Sequence, residues 1–359
     1  MKCPDMSRGA RLAAHGAISE ALALHSDSEL QDLVDAAAPL GSGIGGKSAM
    51  LEVGGSQVFV KRVPLTDLER LPENVGSTAN LFGLPMFCHY GIGGPSFGAW
   101  RELAVHIMTT NWVLADEYHG FPLMHHWRIL PDSTPLPEEL ADVDRVVSFW
   151  GGGAAVRDRV EGQRQSGASI ALFLEFIPQN LHQWLGEQVD AGAEATDRAC
   201  AMVDNDLHAG IAFMNSRGLL HFDAHFENIL TDGQRLYFAD YGLAISTDFA
   251  LSPQESDFYD CHRTYDRAYA RFYSTRWLVA ALRGRDNLDA RISEYANGRT
   301  PTGIPEVPSS IITGNAPLAT VMAEFFRRLQ HESRRTPYPR LEIARMVGDC
   351  DFPQGIIDA

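Results

Sequence analysis

The sequence lacks any long hydrophobic run. Its 359 residues are 45% hydrophobic and 21% charged, which is typical of a soluble globular chain, and no uninterrupted apolar segment approaches the length of a membrane span. The beginning of the sequence also lacks the sustained apolar core that a secretory signal peptide requires. These two absences predict a cytoplasmic protein that does not associate with membranes.

Cysteine and positive charge are also scarce. The cysteines, odd in number and widely spaced, argue against a disulfide framework and against a zinc site: Cys3, Cys88, Cys200, Cys261 and Cys350. Lysine and arginine number 30 against 46 acidic residues, so the formal net charge is −16 at pH 7. A chain of this charge is not expected to bind nucleic acid or anionic membranes in general, and an anionic ligand would need a local, preformed cradle.

The order of sequence patterns predicts an α+β fold in three parts. Residues 1–38 form an N-terminal extension, in which positions from about 8 to 38 have the loosely helical spacing of one or two helices. Residues 39–176 predict a mostly antiparallel sheet, with one helix from Trp100 to about Tyr118. Its strands are expected near 50–53, 57–61, 125–130 and 170–176. Residues 177–359 are mainly helical in pattern, with helices expected near 181–185, 197–216, 260–282 and 317–334.

Two segments of residues 39–176 show neither the alternation of a strand nor the periodicity of a helix. Residues 64–99 are rich in proline and glycine and predict a long connection, and residues 131–168 predict an irregular surface insertion. A connection of that length is often functional.

A glycine-rich segment, G-S-G-I-G-G-K-S, begins at Gly41 and admits two interpretations. It fits the Walker A pattern, in which a helix starts at the lysine, Lys47, and it also fits G-x-G-x-x-G through Gly41, Gly43 and Gly46. Gly54 and the glycine after it would break any helix that starts at Lys47. We therefore favour two strands that flank the glycines, whose backbone N–H groups can approach phosphates closely.

A second constellation decides between these interpretations. His221, Asp223 and Asn228 form an H-x-D-x-x-x-x-N array, and the tripeptide Asp240-Tyr241-Gly242 follows it. This order resembles the catalytic loop and D-F-G segment of the protein-kinase-like superfamily, and V-F-V-K ending at Lys61 resembles its V-A-I-K strand. The resemblance runs from about residue 39 to 244 and implies a bilobal fold, with a small antiparallel-sheet N-lobe and a larger helical C-lobe.

The resemblance implies a role for each matching residue. Asn228 and Asp240 would hold Mg²⁺ against the phosphates of ATP, since this cation prefers oxygen ligands. Asp223 would accept the proton of an acceptor hydroxyl or orient it for attack, and Lys61 would bind the α- and β-phosphates as a point charge. Taken singly, each of these residues could equally be a turn former, a cap or a solvated lysine.

The resemblance also suggests partners for Lys61 and for adenine. Glu102 is our candidate for the carboxylate that holds Lys61, with a solvated position for Glu102, or Glu117 in its place, as alternatives. The backbone C=O of Glu175 and N–H of Ile177 would meet adenine as a hinge, although the same short apolar run also fits an ordinary buried strand.

Two departures from protein kinases bear on the acceptor. Phe222 replaces the arginine of H-R-D, and His225 gives H-x-D-x-H-x-x-N, which resembles the aminoglycoside-phosphotransferase and choline-kinase branch. Together with the short stretch after Gly242, they favour a hydroxyl-bearing small molecule. The closeness of residues 216–230 to the protein-kinase form keeps a Ser/Thr protein kinase open, with Ser246 and Thr247 as modification sites. His225 itself is either a catalytic contact or a loop histidine satisfied by the backbone.

Two further functions remain as alternatives at this stage. A non-catalytic nucleotide-binding protein is possible because the Lys61–Glu102 pair is uncertain, and a P-loop NTPase would require a helix immediately after Lys47. The alternation of His221, Asp223 and His225 does not favour a transition-metal site, since such residues also arise freely in kinase loops.

Overall fold

The computed structural model describes residues 7–43, 46–91, 95–133, 135 and 138–348. Its main sheet is antiparallel and five-stranded, in the order β1-β2-β3-β5-β4. The strands are β1 (Ala38–Gly43), β2 (Gly46–Val53), β3 (Ser56–Leu65), β4 (Met124–Pro131) and β5 (Ala168–Glu175). The strands expected from the alternation of residues are therefore confirmed, and the fold is α+β.

Helices cover both faces of this sheet. On one face lie α1 (Arg8–Ala23) and α2 (Asp27–Ala36), whose Leu22 and Leu30 pack in a buried cluster with Val58 and Phe173. On the other face lies α4 (Ala99–Leu114), whose Leu103 belongs to a cluster with strand residues. Successive side chains of a strand point to opposite faces, so the nearly continuous burial of β5 follows from this two-sided cover.

The prediction of an irregular surface insertion over residues 131–168 is wrong for the part that the structure describes. The segment forms α5 (Glu138–Ala141), α6 (Val143–Phe149) and α7 (Ala154–Arg164). These helices share a buried cluster with the preceding connection, which itself contains α3 (Asp67–Arg70) and short 3₁₀ turns at Pro72–Asn74 and Met86–His89. The fully buried Arg159 pairs with Glu69 at 2.8 Å and joins the two segments.

The rest of the described chain is mainly helical. Its helices are α8 (Leu181–Asp190), α9 (Ala193–Ser216), α10 (Pro253–Cys261), α11 (Tyr265–Arg283), α12 (Leu288–Ala296), α13 (Glu306–His331) and α14 (Arg340–Val347). Short strand pairs interrupt them: β6 (Gln179–Asn180) and β9 (Leu236–Phe238) flank β8 (Ile229–Thr231), and β7 (Leu219–Leu220) pairs with β10 (Ile245–Ser246). The helix expected over 260–282 is α11, which starts a few residues later than expected, and the last long helix starts earlier than expected, at Glu306. Within the described ranges, no helix is both long and apolar enough to cross a membrane.

Candidate functional site

The glycine-rich segment is a β-hairpin. Ser42 pairs with Lys47 and Gly43 with Gly46 across β1 and β2, while the tip, residues 44–45, lies outside the described residues. Gly46 has a φ of 117°, and a Cβ there would overlap the carbonyl oxygen of Arg62, so this position requires glycine. Because β2 continues from Gly46 to Val53, no helix starts at Lys47, and the Walker A interpretation is wrong.

Lys61 lies on β3 between two carboxylates. Its Nζ is 2.7 Å from Oε1 of Glu102, in the first turn of α4, and 2.9 Å from Oδ1 of Asp240. Desolvation opposes the ammonium form, but Asp240 and Glu102 outweigh it and raise the pKa of Lys61. The structure thus brings Lys61, Glu102 and Asp240 together. Glu117, the alternative partner, instead pairs with Arg217 at the surface.

The burial of Glu102 differs from what the helix pattern indicated. The apolar stripe of α4 predicts Glu102 on the opposite, solvated side, yet Glu102 is 1% exposed. The first turn of α4 is buried on several sides, and the neighbouring Arg101 is buried too, in an ion pair with Glu255. A single apolar stripe does not identify a helix that is enclosed all round.

The segment His221–Asn228 is a tight loop held by its own backbone. Asn228 donates its Nδ2 to the carbonyl of Asp223 at 3.0 Å and to Asp223 Oδ2 at 3.1 Å. The N–H of His225 donates to the same carbonyl at 2.8 Å. From α11, the buried carboxylate of Asp266 accepts the N–H groups of His221 and Phe222, at 2.7 and 2.9 Å. No motif in the sequence would have identified Asp266 as a partner of this loop.

The two residues that begin this loop are constrained differently. Phe222 adopts a φ of 65°, a conformation that costs a residue other than glycine about 1–2 kcal/mol, and the two Asp266 bonds offset that cost. His221 is fully buried, and burial lowers its pKa to about 4, so its imidazole ring is neutral. Its Nε2 lies 3.1 Å from the carbonyl of Ala239, directly before Asp240. His221 therefore links the loop to the Asp240 segment.

Asp223 is a half-buried carboxyl next to a glycine. Desolvation, reinforced by the charge of Asp240, raises the pKa of Asp223 to about 8. Its Oδ1 has no hydrogen-bond partner among the described residues, and a Cβ on Gly91 would lie 2.6 Å from that oxygen. The chain at Gly91 therefore packs directly against the carboxyl that the sequence singled out. Gly91 itself was missed, because nothing local in the sequence relates it to Asp223.

His225 lies at the edge of this loop. Its Nε2 is 3.8 Å from Asp223 Oδ1, and its Nδ1 is 3.0 Å from Oε2 of Glu227. Desolvation lowers the pKa of His225, although Glu227 opposes it. The ring is thus placed to contact a group bound beside Asp223, and Glu227 was another residue that the sequence analysis did not select.

A cavity of about 340 Å³ contains most of the predicted nucleotide-binding residues. Its lining includes Gly46, Lys61, Glu175, Ile177, Asn228 and Asp240. Gly41 and Gly43 lie on the facing strand of the hairpin, and Glu102 is buried behind Lys61. Residues from the hairpin, the end of β5 and the two loop motifs therefore meet around one cleft, as the resemblance implied.

The side chain of Glu175 has a partner that the sequence did not reveal. Arg11 of α1 donates from Nε and Nη2 to its two carboxylate oxygens, each at 2.8 Å. The N–H of Leu123 donates to the same carboxylate at 3.0 Å. These bonds turn the Glu175 side chain towards α1 and leave its backbone and that of Ile177 beside the cavity.

The oxygen ligands of the cleft suit a hard cation. Among the residues described, no group of three histidine, cysteine or acidic residues is arranged to hold a metal. Asn228 and Asp240 both line the cavity, and the amide oxygen of Asn228 has no hydrogen-bond partner in the described chain. The carboxylates of Glu102 and Asp240 both pair with the single ammonium of Lys61. Two such ligands plus substrate phosphates are what Mg²⁺ commonly takes.

No family model matches this chain, and a comparison with curated proteins likewise finds no match.

Proposed function

We propose that the protein is an ATP-dependent phosphotransferase of the bilobal, protein-kinase-like type, which moves the γ-phosphoryl group to a hydroxyl of a small molecule. One observation carries this proposal. Lys61, paired with Glu102, meets Asp240 and Asn228 at a single cavity, beside the carboxyl of Asp223. Residues from four separate parts of the sequence converge in the arrangement that phosphoryl transfer needs.

In this proposal the nucleotide spans the cavity from the end of β5 to the catalytic loop. Adenine meets the backbone C=O of Glu175 and N–H of Ile177, and the phosphates lie under the hairpin of Gly41, Gly43 and Gly46. Lys61 binds the α- and β-phosphates, since its raised pKa keeps it charged. Asn228 and Asp240 would hold Mg²⁺, which supplies charge neutralisation of the phosphates and orients them.

The chemical step is an in-line displacement. The acceptor oxygen attacks the γ-phosphorus, a new P–O bond forms, and the bond between that phosphorus and the ADP oxygen breaks. Asp223 takes the hydroxyl proton, so the products are a phosphate ester and ADP. The pKa of about 8 for Asp223 is that of the site without nucleotide, and bound cations lower the pKa of a nearby carboxyl because opposite charge favours ionisation.

Features around the catalytic loop favour a small acceptor over a protein. The fully buried Phe222 occupies the place of the arginine that pairs with a phosphorylated loop in many protein kinases. Ser246 is buried as well, and it pairs with Leu219 where β10 meets β7. Its burial argues against Ser246 as an exposed modification site. The segment after Gly242 is short, and the ion pair of Glu255 in α10 with Arg101 in α4 holds its far end in place.

The test is transfer from γ-labelled ATP to a broad set of hydroxyl-bearing metabolites and antibiotics, with mass spectrometry of both the small molecules and the protein. The wild type should yield a phosphorylated small molecule, and Asp223→Asn should yield none. Label found only on serine or threonine of proteins would instead support the Ser/Thr protein kinase alternative. ATP binding without any transfer would support a non-catalytic nucleotide-binding protein.

A further inference from the structure

A second cavity, of about 780 Å³, lies on the other side of the catalytic loop. Glu227 lines both this cavity and the proposed nucleotide cavity. Gly91, which packs against Asp223 Oδ1, is also part of its wall. Because Gly91 has no side chain, only one backbone segment separates this cavity from the Asp223 carboxyl. The two cavities therefore approach each other at the residue proposed to accept the proton.

The floor of the second cavity is aromatic. Rings from α11 and α13 form it: Tyr269, Phe272, Tyr273, Trp277 and Phe326. They are fixed by mutual packing, with ring centroids 5.3 Å apart for Phe272 and Phe326 and 6.1 Å apart for Tyr269 and Tyr273. Trp277 donates its Nε1 to His182 at 2.9 Å. Such a surface suits a ligand with a flat ring or an apolar sugar face, since aromatic faces gain most from stacked contacts.

The arginines around this aromatic floor are unequally compensated by carboxylates. Arg276 pairs with Asp289, and Arg327 forms 2.7 Å bonds to Glu324 and Glu332. Arg285, in the turn after α11, lines the same cavity and has no ion pair among the described residues. Arg285 is therefore a cation of this cavity that no carboxylate of the described residues neutralises.

The acidic residues of the cavity are already engaged. Glu227 Oε2 lies 3.0 Å from His225 Nδ1 and accepts from the Tyr273 hydroxyl at 3.4 Å, and Asp289 pairs with Arg276. Both carboxylates therefore have a neighbouring donor or cation, whereas Arg285 has no carboxylate partner among the described residues. Arg285 can therefore bind an anion, because an arginine fork binds a carboxylate or phosphate through charge-assisted hydrogen bonds.

We propose that this cavity is the acceptor site, and that the acceptor is a ring-bearing alcohol with a carboxylate or phosphate group. Its ring lies on the aromatic floor, its anionic group pairs with Arg285, and its hydroxyl extends past Gly91 and Glu227 towards Asp223. This inference rests on the proposed phosphotransferase function, and it names the acceptor class.

The experiment offers Mg²⁺, ATP and three acceptor sets of equal size: ring-bearing alcohols with an anionic group, without charge, and with a cationic group. We expect transfer mainly to the anionic set. The Arg285→Glu protein should raise the KM for the best anionic acceptor by about tenfold or more, as loss of a charged hydrogen bond implies, with little change in the KM for ATP. The matched control is Arg283→Glu, which changes an exposed arginine two positions away that does not line the cavity.

Several results would overturn the assignment. Acceptors confined to the neutral or cationic sets, no acceptor in any set, or an equal effect of both arginine substitutions would each do so. Calorimetric ATP binding on the same preparations separates the two proposals. Intact Mg²⁺-dependent ATP binding with any of these results removes only the acceptor assignment, whereas absent ATP binding removes the phosphotransferase proposal itself.

Discussion

Arg11 and Glu175 form a buried, two-pronged ion pair although they lie 164 positions apart in the chain. Their side chains are 2% and 11% exposed. Arg11 also donates to the carbonyls of His119 and Phe121, at 3.0 and 2.7 Å. The N-terminal helix is therefore fastened to the segment at which adenine is proposed to bind, and the position of that segment depends on α1.

The first prediction concerns this ion pair. Arg11→Ala leaves the Glu175 carboxylate without its main partner, and breaking a buried pair in this way costs about 3–5 kcal/mol. We expect a lower unfolding midpoint and a higher KM for ATP. The control is Arg8→Ala on the same helix, whose pair with Asp116 has exposed side chains and contributes about 0–1 kcal/mol. Equal effects of the two substitutions would contradict the role given to Arg11.

The second prediction concerns Gly91. Gly91→Ala adds a Cβ 2.6 Å from Asp223 Oδ1, at a φ of 45°. We expect kcat to fall by about tenfold or more, because a small displacement of the Asp223 carboxyl from its reacting position slows the chemical step. Gly83→Ala is the matched control, since Gly83 has a similar φ of 62° but open space around it. It carries the backbone strain without the clash and should keep its activity.

The third prediction is a pH dependence of stability. The pKa of Asp223 is about 8 in the fold and near its ordinary value when unfolded. The folded state then binds the extra proton, so this group makes the protein less stable as pH rises from about 4 to about 8. Asp223→Asn lacks the carboxyl and should gain stability relative to wild type across that window. Thermal unfolding without magnesium at both ends of the window measures it, and a difference that does not change with pH would contradict the assigned pKa.

The fourth prediction concerns the partner of Lys61. Glu102→Gln removes a buried charge that holds the ammonium at 2.7 Å, so Lys61 should be less well positioned and kcat/KM for ATP should fall by about 10²-fold. Glu117→Gln provides the comparison, since Glu117 pairs with Arg217 near the surface. Steady-state kinetics of both variants would show whether the effect is specific to the cleft.

The loop of residues 221–228 could be predicted because its information is local. Asp223, Asn228 and Asp240 lie within a short stretch of the sequence, and the antiparallel sheet follows from alternating residues around Lys61. The helices of residues 138–164 could also have been predicted from the sequence. Val143, Val146 and Val147 are spaced as one face of a helix, but the charged residues between them obscured the pattern.

The remaining site residues could not be predicted, since only the folded chain brings them into contact. Arg11, Gly91 and Asp266 are distant in sequence from the groups that they contact, and each has an ordinary role when considered alone. The burial of Glu102 likewise depends on the elements packed around the first turn of α4. Long-range contacts of this kind leave no periodic signal in a single sequence.

The most direct test of the phosphotransferase proposal is calorimetry of ATP binding to the wild type and to Asp240→Asn, each with and without Mg²⁺. Asp240 lines the cavity and pairs with Lys61, so we expect tight, Mg²⁺-dependent binding by the wild type and loss of the Mg²⁺ dependence in the variant. A wild-type protein that binds no ATP, with or without Mg²⁺, would contradict the phosphotransferase account.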